Sequence, residues 1–429
     1  MLASVSPRAT SWAAPLALFV LFSAIYAATA GERLFRPSAN NHHVQQAAAW
    51  LRAELDLGSR APGTNDWACF DTLERGACPS GRYSFEDAEP GRYRWFVSFP
   101  PLPALLLLPW VAIFGVQVWD VLIWALFAGL GPALLFVLLE QLRTSGRTER
   151  SPGDNLLLTL LFGVGSVYYF VAVQGSVWYA AHVVAIPFIV LYLLYGFDAR
   201  RPVLAGLALG LAFLARPSTL LLAPFFLLQS RDEPRRMLRF TVPLVALVLL
   251  AMAYNYARFE DPFEFGHRFL QIRWRPRIER WGLFSYHYFG RNLAVFLASL
   301  PWLLEAGPYV RISRHGLALW FTTPNLLWTL WPQRSDSTTH ALWLAIVPTM
   351  LCTLLYQNSG WVQFGYRFSL DYLPLLFVLL ALSGRSFGRL FWVCALFSIA
   401  INTFGALTFD RHPQFYDDDR SQQRIFQPD

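Results

Sequence analysis

The chain contains no lysine, only four cysteines and four methionines, and charged residues make up just 15% of its 429 positions. Soluble domains carry about 25% charged residues, so an ordinary soluble enzyme is excluded. A disordered chain is excluded from the other side, because 55% of the residues are hydrophobic. The absence of lysine leaves arginine to supply all 35 basic residues, for a net charge of +7. GC-rich codon usage accounts for that uniformity. Phosphate recognition does so as well, since a guanidinium is always charged and binds oxyanions bidentately. No basic stripe stands apart from the apolar blocks, which excludes nucleic acid as a partner. The sequence also lacks a phosphate-binding glycine loop, a GxGxxG and a nucleophile elbow, so a soluble nucleotide cofactor has no evident site.

What the chain has instead is apolar runs of membrane length. Residues 102–142 and 156–197 form two such blocks, and a hydrocarbon core takes about 20 apolar residues per helix. The fold class expected is an all-α polytopic membrane protein, a single membrane domain over residues 1–429. Residues 12–29 read as an anchor helix rather than a cleaved leader. The polar stretch 30–117 is a large first outer loop, opening with an amphipathic surface helix over residues 40–57 that carries Val44, Ala47, Ala48, Leu51 and Leu55 at helical spacing.

The arginines set the orientation. Arg143, Arg147 and Arg150 mark one loop as cytoplasmic, and Arg200 and Arg201 another. With the N-terminus inside, the run 102–114 cannot span; it holds Pro103 and Pro109 and reads as an interfacial helix on the outer face. Within 118–257, residues 118–139 return, 156–173 lead out and 179–197 return. Both flanks of residues 203–229 are arginine-rich, and their middle reads Ala215-Arg216-Pro217. Proline removes a backbone donor and disfavours helix in the residue before it. Two short helices meeting at Arg216-Pro217 are therefore expected, each of about 13 residues and ~20 Å, with Arg216 deep in the outer half of the bundle. An unpaired Arg there costs on the order of 2.5–3.5 kcal/mol; it faces an anionic ligand or pairs with a buried acid.

Residues 240–256 lead out to a second outer segment, 258–315. Runs 316–331, 341–356, 369–383 and 390–407 fill residues 316–408 and bring the whole chain to about eleven passages, counting the broken pair as two, and residues 409–429 form an outer tail with acids at 417–419. The second outer segment holds nine arginines, Arg291 among them, against five acids. It is either a solvated surface or a cationic rim for a phosphate-bearing lipid, with Trp274 and Trp281 as stacking partners.

Candidate chemistry gathers in the outer loops. Asn40, Asn41, His42 and His43 open the surface helix; either Asn serves as a helix cap, and His43 is a candidate general base because imidazole titrates near neutrality. Glu32, Asp56, Asp66 and Asp71 are acids of the same loop. His182 is expected near the outer end of its helix. Tyr366 and Arg367 either hold an anionic headgroup, or Arg367 pairs with Asp371 four residues on. Cys69 and Cys78 close a short hairpin if the loop faces an oxidising compartment. No array of His and Cys has metal-ligand spacing.

The layout resembles the GT-C superfamily of polyprenyl-phosphate-dependent glycosyltransferases, which includes protein O-mannosyltransferases and the lipid A aminoarabinose and galacturonic acid transferases. The resemblance is carried by one helix, a large outer loop with a surface helix, the proline-rich Phe99-Pro100-Pro101-Leu102-Pro103, the broken pair through Gly206–Pro217, and Tyr366-Arg367-Phe368 before Leu373-Pro374. It implies sugar transfer from a lipid-phosphate donor on the extracytoplasmic face of the plasma membrane, with Arg216, Arg367, Tyr366, His182 and Arg291 toward the substrate. It also implies an early first-loop acid as base. Asn40 or Asn41 stands at that position, so His43 or a displaced carboxylate such as Asp56 takes the role, or the protein is a non-catalytic flippase, transporter or assembly partner for lipid-linked glycans.

Overall fold

The computed structural model describes residues 12–63, 65–79 and 91–416. The acids expected at 417–419 lie outside them. The first helix, α1 (Ala13–Ala30), leads to α2 (His42–Leu51), and a small antiparallel sheet follows from β1 (Trp67–Asp71), β2 (Gly76–Ala77) and β3 (Tyr93–Val97). The strand order is β2-β1-β3, with Cys69 opposite Trp95. The sheet is a departure from the all-α expectation, and the Cys69–Cys78 disulfide staples its first hairpin. The surface helix is shorter than expected. It ends at Leu51, and Ala53 takes φ 59°, so Leu51 and Leu55 are exposed rather than part of the buried face.

The bundle continues with α3 (Leu102–Phe114), α4 (Asp120–Ala128), α5 (Leu130–Thr144), α6 (Pro152–Val164), α7 (Tyr168–Ala172) and α8 (Val177–Gly196). Next come α9 (Pro202–Phe213), α10 (Pro224–Gln229), α11 (Pro234–Phe259), α12 (Arg275–Trp281) and α13 (Phe289–Ala298). A two-stranded ribbon, β4 (Trp302–Leu303) with β5 (Val310–Arg311), precedes α14 (Leu319–Thr322), α15 (Ser337–Leu355), α16 (Leu373–Leu382) and α17 (Arg389–Thr408).

Six helical stretches among the described residues are long and apolar enough to cross a membrane: Ala13–Phe35, Asp120–Thr144, Val177–Ala199, Pro234–Phe259, Ser337–Leu355 and Arg389–Thr408. Five shorter apolar helices, including both arms of the broken pair and α3, complete the bundle. The run 316–331 does not make the expected passage. Thr322-Thr323-Pro324 interrupts it, leaving the four-residue α14 and a 3₁₀ stretch, Pro324–Leu330. The expected break at Arg216-Pro217 is present: α9 stops at Phe213 and a 3₁₀ turn, Pro217–Leu222, begins the second arm.

α8 is apolar on all sides, and such a helix must be buried all round; it is the axis of the core, with Val183, Ile186, Ile189 and Leu193 at or near zero exposure. By contrast, α11 exposes Leu238, Val242, Val245, Leu249 and Leu250 along one side, a face suited to lipid. Close approaches depend on missing side chains. A Cβ at Gly163 would strike the ring of Phe22, one at Gly129 the Ser23 hydroxyl, and one at Gly206 the carbonyl of Phe240.

The loops segregate to two ends. At one, Arg147 pairs with Asp198, Arg334 with Glu149, and Arg150 donates to the Leu380 carbonyl. At the other, the sheet, α2 and α3 pack against residues 254–275. Phe70 meets Phe269, Gln271 N–H donates to the Trp67 carbonyl, and Arg258 Nη1 donates to the Val97 carbonyl at 2.7 Å.

Candidate functional site

The loop end builds its site on the chain break between the two arms of the broken pair. Arg216 has extended backbone (φ −144°, ψ 100°), because Pro217 forbids it helix, and this turns its side chain out of the α9 axis. Its Nε donates to Asp371 Oδ1 at 3.0 Å and its Nη2 to Asp371 Oδ2 at 2.8 Å. The Ser218 hydroxyl donates to the same Oδ2, and His182 Nδ1 lies 3.2 Å from Oδ1. Asp371 has no exposure and His182 1%, whereas the Arg216 side chain retains 21%. The intramembrane arginine is thus paired with a buried acid, one of the two outcomes its cost demanded.

Asp371 faces Arg216, not Arg367. Residues 367–371 form a 3₁₀ turn, in which i and i+3 eclipse and i+4 is turned away. Arg367, itself 5% exposed, donates from Nη1 to the carbonyls of Gly360 and Val362, both at 2.7 Å. Its guanidinium lies 5.2 Å from the Tyr179 ring and 5.3 Å from the Phe368 ring.

The first loop brings a carboxylate to this group, and it is Asp66. The residue has φ 56° in the turn before β1 and is half-buried. Trp178 Nε1 donates to its Oδ2 at 2.6 Å. Burial pushes its pKa up to about 6, against the opposing pull of the Trp178 N–H and the charge of nearby Arg367. Tyr356, just past the end of α15, sits within electrostatic reach of Asp66, Arg216 and Arg367 together. His267, on the second outer segment, is half-buried 6.4 Å from the Tyr356 ring. Burial, then Arg216 and Arg258, depress it to about 4.

The other sequence candidates lie elsewhere. His43 is 2% exposed, packs edge-on to Phe99, and is depressed to about 3 by burial and by His42. An imidazole held neutral inside the fold is a poor acceptor of a substrate proton. His42 stacks on Trp67 at 3.8 Å and bonds the Asn65 carbonyl, which fixes the turn that carries Asp66. Asp56 is a loop staple: Oδ2 is bound by Arg94 and Oδ1 accepts from Gly58 N–H. Asn40 gives its carbonyl to Val177 N–H, and Asn41 stands at the N-cap of α2 without a side-chain cap bond. Tyr366 has no exposure and turns its hydroxyl to Thr353, 3.2 Å away in the core. Arg291 donates to Asn292 and to the Gln357 carbonyl, bracing α13 to the end of α15.

Part of the cationic rim serves as braces: Arg258, Arg275 and Arg277 are buried, and Arg275 Nη1 donates to the Cys78 carbonyl at 2.8 Å, while Arg268, Arg273 and Arg280 are exposed. Trp281 stacks on His287, and Trp274 meets Trp361 edge-on. Among the described residues no three His, Cys, Asp or Glu side chains gather to hold a metal. Asp66 carried one weak signal in the sequence, an Asn65-Asp66 turn pair immediately before the strand-like Trp67-Ala68-Cys69-Phe70.

No protein-family profile matches the chain, and no curated protein matches it. Among solved structures, its fold is similar to the crystal structure of ArnT from Cupriavidus metallidurans bound to undecaprenyl phosphate. The TM-score is 0.50 at 15% identity, over 92% of this chain. The chain spans 64% of the length of that protein. The fold is accordingly a polytopic helical bundle similar to that of ArnT.

Proposed function

We propose that the protein is a membrane glycosyltransferase that moves a sugar from a polyprenyl-phosphate-linked donor to a hydroxyl of a lipid, glycan or protein acceptor at the loop end of the bundle. The observation that carries the reading is Asp66. It is a first-loop carboxylate raised to about 6 by burial, bonded by the Trp178 N–H and within electrostatic reach of Arg367 and Tyr356. A base tuned toward the working pH is what general-base catalysis requires. In this reading the acceptor oxygen bonds to the sugar C1 as its proton passes to Asp66. The C1–O bond to phosphate breaks, and the electron pair stays on the phosphate. Arg367 and the open edge of Arg216 hold that phosphate, Arg367 pre-set by the Gly360 and Val362 carbonyls so that little side-chain freedom is lost on binding. Undecaprenyl phosphate, bound in the similar ArnT structure, is the donor carrier this reading assigns.

The test is transfer from a lipid-linked sugar by purified protein. Asp66→Asn is expected to cost on the order of 10²–10⁴ in kcat while undecaprenyl phosphate still binds. Unimpaired turnover in that variant would remove Asp66 from the role.

One observation favours a second reading, a carrier or assembly partner that binds lipid-linked glycans without turnover. Arg216 is already neutralised by Asp371. That reading predicts donor binding with the sugar remaining on its lipid across a panel of acceptors.

A further inference from the structure

Asp371 is the most heavily partnered carboxylate near the site and has no exposure. It takes two hydrogen bonds from Arg216 and one from Ser218, and His182 closes its remaining side. Arg has five N–H donors. The pair occupies Nε–H and one Nη2–H, which leaves both Nη1 protons and the second Nη2 proton on the opposite edge of a side chain that keeps 21% exposure. The carboxylate therefore does two things to that edge. It fixes its direction, and it cancels much of its charge.

Transfer changes the charge that this edge must hold. The donor is a phosphodiester with one negative charge. When the acceptor oxygen bonds to C1, the C1–O bond breaks with its electron pair left on phosphate, and the acceptor proton goes to Asp66. The spent lipid is a phosphomonoester, whose second ionisation near pH 6 gives it a charge approaching −2. Two bare guanidiniums would grip this product more tightly than the donor, and release would limit turnover.

We propose that Asp371 is a positioning residue and counter-charge for Arg216, holding its open edge toward the lipid phosphate while keeping the clamp weak enough to let the spent polyprenyl phosphate go. The proposal rests on the glycosyltransferase reading above.

The experiment uses the full-length protein in nanodiscs and two probes, undecaprenyl phosphate and its methyl phosphodiester. Wild-type protein is expected to bind the two with similar affinity. Asp371→Asn is expected to bind the monoester on the order of tenfold tighter, for loss of one charge at close range, with a smaller gain for the diester. In turnover the same variant should lower KM for the donor and kcat together. A merely structural role would instead weaken both probes alike. A monoester-to-diester ratio that does not rise in a folded Asp371→Asn variant overturns the proposal. Where that variant does not fold, the wild-type ratio decides, because a monoester preference above about tenfold means the clamp is uncompensated. If neither lipid binds wild-type protein, the glycosyltransferase reading fails, and the counter-charge role with it.

Discussion

Arg367 and Asp371 show how far a residue can be read from its spacing. Four positions apart on an α-helix they would pair. The local 3₁₀ turn sends Arg367 to two carbonyls and Asp371 to Arg216, 155 residues away in sequence. Arg216 itself was legible, since the Arg-Pro step announces both the break and an intramembrane guanidinium that needs an anionic partner. Asp66 was visible only as one of several loop acids, because its significance comes from Trp178 and Arg367, which the sequence places more than a hundred residues away. The pH consequence at this scale is direct. Asp66 accepts a proton only when ionised, so activity should fall as pH drops through about 6, and Asp66→Glu should move that limb while Asp66→Asn abolishes it.

His42 and His43 act in the same direction on stability. Burial depresses them from 6.5 to about 4 and about 3. The unfolded chain therefore binds more protons below pH 6.5, and folding stability must decline from there toward the folded values. Thermal unfolding between pH 7 and 4.5 should show this loss, and His43→Gln should flatten it.

Among elements, the broken pair was readable and the run 316–331 was not. Both contain proline, but Pro217 breaks the chain near the middle of a long apolar stretch, whereas Thr322-Thr323-Pro324 leaves too little helix on either side to be stable. The sheet in the first loop was hidden for another reason. The β1–β3 pairing joins strands that begin 26 residues apart, at Trp67 and Tyr93, and the β1–β2 hairpin is stapled by a disulfide that the sequence offered only as conditional on compartment. Replacing both Cys69 and Cys78 by Ser should cost about 2–3 kcal/mol in unfolding measurements, from the chain entropy of so short a loop. It should also weaken donor turnover, because the Cys78 carbonyl anchors Arg275 and β1 begins beside Asp66. Between α9 and α11 the contact is backbone against backbone at Gly206. Gly206→Val should therefore destabilise the bundle by about 1–3 kcal/mol or more, read as a lower midpoint of thermal aggregation.

For the whole molecule, the two ends differ in kind. One carries short loops with paired arginines. The other carries the sheet, the second outer segment and exposed Leu303, Tyr286 and Tyr309. We propose from the arginine bias that the short-loop end faces the cytoplasm. In a Cys352→Ala/Cys394→Ala background, Leu303→Cys should react with an impermeant maleimide in intact cells, whereas Ser145→Cys should react only after permeabilisation. The reverse pattern would invert the topology and place the Arg216 site on the wrong face for an extracytoplasmic donor.

The glycine notches that receive α1 lie on segments synthesised after it: Gly129 takes Ser23 and Gly163 takes Phe22. Small residues of this kind let membrane helices dock closely, but only once both partners exist. During biogenesis α1 must therefore wait, unassembled in the bilayer, until the chain has been translated at least through Gly129, and its docking is complete only after Gly163. Shortened nascent chains should show it crosslinking to lipid or insertase before that length and to its own later segments after it.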